Sequence, residues 1–94
     1  MRRTIDPRAL AAQIRRDAER YGLANMSDDA EIRAMIGRDI SGMQAVADLV
    51  EKGEMKRAYQ RAARMDTAAR DGFSKRAWDQ LSGGCAFGHT EFDR

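Results

Sequence analysis

The stretch from Ser27 to Lys52 constrains the fold more than any other part of the chain. It holds eight large apolar residues: Ile32, Met35, Ile36, Ile40, Met43, Val46, Leu49 and Val50. Ile36, Ile40, Met43, Ala47 and Val50 step by four, three, four and three, which draws one stripe along an α-helix. Ile32, Met35, Val46 and Leu49 widen that stripe into a band. A band of this width contacts two neighbours at once, so this helix is expected at the centre of the molecule.

The flanking segments carry their own start and stop signals. Asp6-Pro7 reads as an N-cap followed by proline at the first helical position. The helix it starts is expected to run to Tyr21, with Leu10, Ile14, Ala18 and Tyr21 on one face and Gly22 as its end. Leu23 and Met26 are expected to pin the following loop to the core. Ser27 reads as the cap of the central helix, with Asp28, Asp29 and Glu31 in the favourable first turn. Gly37 and Gly42 interrupt its pattern: either they let another backbone approach closely or the segment breaks near Gly37, and one long, bent helix is the expectation. Lys52-Gly53 is a stop. A third helix is expected over 54–64, with Met55, Ala58, Tyr59, Ala62 and Ala63 on its apolar face. Asp66 caps a fourth segment that Gly72 divides, and Ser74 caps a last piece reaching Leu81. Ser82-Gly83-Gly84 is expected to end regular structure.

These signals predict an all-α fold. It is a small bundle of three or four helices around the long central one, over residues 1–82, with a short flexible glycine-containing C-terminal tail over 83–94. The composition is alanine-rich with 6% aromatic residues, so buried area is modest. The central helix offers more apolar face than its short neighbours cover, which leads us to expect a homodimer or larger homo-oligomer.

Charge is nearly balanced overall at +2 but unevenly spread. Residues 1–26 carry six Lys/Arg and three Asp/Glu, 27–54 three and seven, and 55–94 eight and five, giving +3, −4 and +3. Such segments pair within the fold or across a dimer, or present a basic surface to nucleic acid or an acidic partner. Arg57, Arg61 and Arg64 recur at i, i+4 and i+7, a basic stripe along one side of the third helix. The methionines on apolar faces read as core filling, or as the floor of a groove for partner helices. A single cysteine leaves no internal disulfide and suits a reducing cytoplasm. No apolar run is long enough to span a membrane, and Met1-Arg2-Arg3 has no hydrophobic segment after it, so neither an anchor nor a signal peptide is expected.

Residues 67–81 contain a more specific spacing. Ala68 is followed four positions on by Gly72, then Phe73, with Trp78 and Leu81 as apolar positions beyond. This resembles a helix-turn-helix unit of the phage-repressor kind. The resemblance implies that Ser74 caps a recognition helix, that Lys75 and Arg76 face the groove, and that Arg64 and Arg70 reach phosphates. The residue before the turn glycine is buried and apolar in that unit; here it is Asp71. A plain helix hairpin turning at Gly72 accounts for the same spacing.

Little points to catalysis. Cys85 and His89, with Glu91 and Asp93, form no recognisable four-ligand set, and a nucleophilic cysteine needs an oriented base and an oxyanion site. There is no glycine-rich phosphate loop, HExxH or CxxC. No enzyme activity, metal or cofactor is expected. Phe87 and Phe92 serve either as a short docking motif or as residues folded back onto the core. The reading is a small regulatory or inhibitory protein acting by stoichiometric binding to a macromolecule, most plausibly another protein, through Arg57, Arg61 and Arg64 with Trp78, Phe87 and Phe92 as anchors. The alternative is a DNA-binding transcriptional regulator using a helix-turn-helix at 66–81, with Arg64, Arg70, Ser74, Lys75 and Arg76 on the nucleic acid.

Overall fold

In a computed structural model, residues 6–92 are described along the backbone and residues 6–83 in their side chains. Asp6 caps α1 (Pro7–Ala24) by accepting the Arg8 N–H at 3.0 Å. Leu10, Ala11, Ile14, Asp17, Ala18 and Tyr21 form its buried face. The helix does not stop at Gly22 but continues to Ala24, where Asn25 ends it by donating from both its backbone and its side chain to the Tyr21 carbonyl. Gly22 has a packing role instead: a Cβ there would lie 2.8 Å from Ile40 Cδ1. Leu23 and Met26 do not pin the loop, being 65% and 78% exposed.

The central helix is α2 (Ala30–Glu51), unbroken through both glycines. Its cap is Asp29, whose Oδ1 accepts from Glu31 and Ile32 N–H, while Ser27 Oγ accepts the Asp29 N–H one step earlier. Gly22 opposite Ile40, Tyr21 opposite Asp39, and Arg15 opposite Asp48 and Glu51 make α1 and α2 antiparallel. These last three charges account for part of the segregation seen in the sequence. They lie at the surface and contribute little to stability; Glu51, then Asp48, raise the Arg15 pKa further above its ordinary range.

Only the second half of α2 is core. Gly42, Met43, Val46, Ala47 and Val50 are buried, whereas Ile32 and Met35 are 44% and 50% exposed. The reason lies in the next helix. Gly53, at φ 82°, turns the chain, and α3 (Met55–Ala63) returns along α2 for only nine residues. Its neighbours α4 (Thr67–Gly72) and α5 (Lys75–Phe92) complete five helices, with no strand among the described residues. The extra helix is the division at Gly72–Ser74 that the sequence signalled. Asp66 caps α4 through the Ala69 N–H, and Ser74 Oγ accepts from Ala77 N–H at the head of α5. The backbone stays helical past Ser82–Gly84, where regular structure was expected to end; glycine costs about 1 kcal/mol in a helix but does not forbid it.

Among the described residues, one charged side chain sits inside the core. Asp17 is fully buried. Its Oδ1 accepts from Gln13 Nε2 at 2.8 Å and lies 3.1 Å from Arg20 Nη1. Its Oδ2 accepts the Ser74 backbone N–H at 2.9 Å. Arg20 also donates to the Gly72 carbonyl at 3.3 Å. Thus α1 fastens the turn between α4 and α5.

Tyr21, beside it, donates its hydroxyl to Asp39 Oδ2 at 2.8 Å. Burial, then the Asp39 carboxylate, raises the phenol pKa from 10.0 to about 12. Folding therefore favours the protonated phenol. Its contribution is whole below about pH 10, where the unfolded phenol begins to ionise, and is lost as pH rises through about 12. The chain has two tyrosines, so in Tyr59→Phe the ultraviolet titration reads Tyr21 alone. Its midpoint is expected near 12 while the circular dichroism stays helical; a midpoint near 10 would contradict the burial.

Candidate partner-binding groove

The first turn of α3 has no side-chain cap; Glu54 instead pairs with Arg57 at 2.7 Å. Ala58 and Ala62 are buried and set the rotation of the helix. That rotation turns Arg57, Arg61 and, just past the helix end, Arg64 outward. They surround a groove of about 430 Å³ together with Gln60, over an apolar floor of Leu49 and Met65. Met65 is seated by Gly42, where a Cβ would stand 2.8 Å from the Met65 terminal methyl. Among the described residues, Arg61 and Arg64 have no carboxylate within ion-pairing distance. Three cations over an apolar floor suit an amphipathic, acidic surface, since guanidinium groups bind carboxylates while their stems cover apolar atoms.

Of the other expected anchors, Trp78 lies elsewhere. Trp78, half-buried on α5, packs against Tyr59 and Phe73 at centroid distances of 5.7 and 6.0 Å. It lines a separate cleft of about 390 Å³ with Arg70, Asp71, Phe73 and Lys75. The side chains of Phe87 and Phe92, and of Cys85, His89, Glu91 and Asp93, fall outside the described residues. Among the described residues, no three His, Cys, Asp or Glu side chains cluster as metal ligands, and no helix is long and apolar enough to cross a membrane.

The nucleic-acid set is also divided. Arg64 belongs to the α3 groove, and Arg70 and Lys75 to the Trp78 cleft. Ser74 caps as expected, Arg76 is exposed, Lys75 pairs with Asp79 at 3.0 Å, and Arg70 donates to Thr67 Oγ1 at 3.3 Å. The turn differs from the unit it resembles. Gly72 is buried and remains helical; among the described residues only Gly53 has positive φ. Ala68 and Asp71 face solvent and Ala69 is buried in place of Ala68. An exposed Asp71 removes the cost of a buried carboxylate, but by a rotation of α4 that the phage-repressor unit does not have.

Sequence reasoning missed the Asp17–Arg20–Tyr21 fastening. The signal was present: Leu10, Ile14, Asp17 and Tyr21 step by four, three and four, which places an acid inside an apolar stripe.

No protein-family model matches the chain, and no curated protein or solved structure is significantly similar to it. Any functional reading therefore rests on its own surface.

Proposed function

We propose that this is a small non-enzymatic regulatory or inhibitory protein of the cytoplasm that binds another protein stoichiometrically. The observation that supports it is the α3 groove, where Arg57, Arg61 and Arg64 stand around Leu49 and Met65. Arginine beside exposed apolar atoms is the composition from which binding hot spots are made. The partner would present an acidic amphipathic segment.

The test uses the whole chain as bait in extract from its own cells, with Arg61→Glu/Arg64→Glu as control. Both side chains are exposed and outside the core, so the variant should keep its helical circular dichroism. A captured protein is then purified and titrated calorimetrically. The expected result is a one-to-one complex that the double variant weakens roughly a hundredfold, as two reversed contacts of about 1.4 kcal/mol or more would. Equal affinity for both forms would overturn the groove as the site. The same preparations mixed with a labelled DNA duplex at low salt decide the alternative. Affinity that falls with log salt, and that Lys75→Ala/Arg76→Ala weakens, would replace the protein-partner reading by the DNA-binding one.

A further inference from the structure

The flank of α2 that carries the groove also carries an uncovered stretch. Glu31 and Leu49 are eighteen residues apart, five whole turns at 3.6 residues per turn, so they share one side of the helix. Gly42, eleven residues from Glu31 and close to three turns, lies between them on that side with Met65 seated on it. On the Leu49 side of Gly42, α3 covers the flank and holds the arginines. On the Glu31 side α3 has ended; Met35, four residues from Glu31 and so on the same side, is 50% exposed, and Ile32, about a quarter-turn round toward the core face, is 44% exposed. Asp28 and Glu31, both exposed, adjoin them. Among the described residues neither pairs with a cation, whereas Asp48, Glu51 and Glu54 on the same acidic segment are already paired. Arg33 lines a cleft with Ile36 and Ile40 on the α1 side and is turned away. Arg38, also exposed, is on the flank nearer its middle.

We propose that two copies pair through this flank, the α2 N-terminal stretch of each occupying the arginine groove of the other. A two-fold axis near Gly42 and Met65 runs the two α2 helices antiparallel. It brings Asp28 and Glu31 of one copy to Arg57, Arg61 and Arg64 of its partner, and Ile32 and Met35 onto the Leu49–Met65 floor. Both junctions form at once, so the assembly closes at two copies rather than growing into a filament. The shapes agree, because each α3 stands out where the other copy's flank is bare. The pairing does not rest on the proposed partner; a partner that uses the groove would compete with it.

The test is the molar mass in solution, by sedimentation and light scattering across concentration and salt. The wild type is expected to shift toward twice the chain mass as concentration rises, and less so at high salt. Arg61→Glu/Arg64→Glu alone, and Asp28→Lys/Glu31→Lys alone, should each weaken self-association roughly tenfold or more. An equimolar mixture of the two variants should restore the dimer, because each junction is again complementary. Circular dichroism and melting of each variant alone check that folding is intact. A monomeric wild type at low salt, a dimer indifferent to either variant, or a mixture no better than its components would each overturn the pairing. All of these measurements use the purified chain alone, so their failure is distinguishable from failure to capture a partner.

Discussion

Asp17→Ala is expected to lower the melting temperature by roughly 15–20 °C, from a loss of about 3 kcal/mol. The size follows from what the carboxylate does. It is fully buried and accepts from Gln13 and from the Ser74 backbone, with Arg20 beside it. Alanine leaves the Ser74 N–H without its acceptor and opens a void between α1 and the α4–α5 turn. Arg20 contributes the smaller part, because its side chain is largely exposed. Asp17→Asn should lie between the two forms, keeping an acceptor oxygen but not the charge. Thermal and urea melts measure both; an alanine variant melting within a few degrees of wild type would show that the fastening carries little.

Gly72→Ala should cost about 1–3 kcal/mol, although alanine is the better helix former. A Cβ at Gly72 would stand 2.8 Å from Tyr21 Cδ1 and 3.1 Å from its Cγ. The ring cannot easily move, because its hydroxyl is bonded to Asp39 and its far side is packed. Gly37→Ala is the matched control. Nothing lies within 4 Å of a Cβ at Gly37, in the exposed half of the same long helix against which Tyr21 packs. That change should stabilise by about 0.5–1 kcal/mol. Urea midpoints of the two variants should therefore move in opposite directions. Movement in the same direction would mean that helix propensity, not space, sets the outcome.

How far the sequence was legible depends on how local each interaction is. Asp6-Pro7, Gly53, Asp66 and Ser74 act on backbone within a few residues, and each does what its residue type predicts. Gly22 and Ser27 failed because the deciding contact lay beyond them. Gly22 makes room for Ile40 across the helix pair, and Asp29 is better placed than Ser27 to accept from the first free N–H groups. The band on α2 correctly gave one long helix but not where its cover ends, which depends on the short length of α3. The arginine stripe was legible as spacing; its apolar floor was not, since Leu49 and Met65 come from either side of α3 in the chain. Trp78 was grouped with that stripe by residue type alone, and space separates them.

The bond from Asp17 to Ser74 joins residues fifty-seven apart in the chain. The α1–α2 pair closes through a five-residue loop, so its contacts are cheap to assemble. The head of α5 is capped locally by Ser74, but its tie to α1 is the long-range bond from the Ser74 N–H to Asp17. The α4–α5 turn is therefore tied to α1 by a contact distant in sequence, while α5 itself packs chiefly against α3. Hydrogen exchange on the Asp17→Ala protein would register this as early loss of protection around Ser74 while the amides of α1 and α2 still hold theirs.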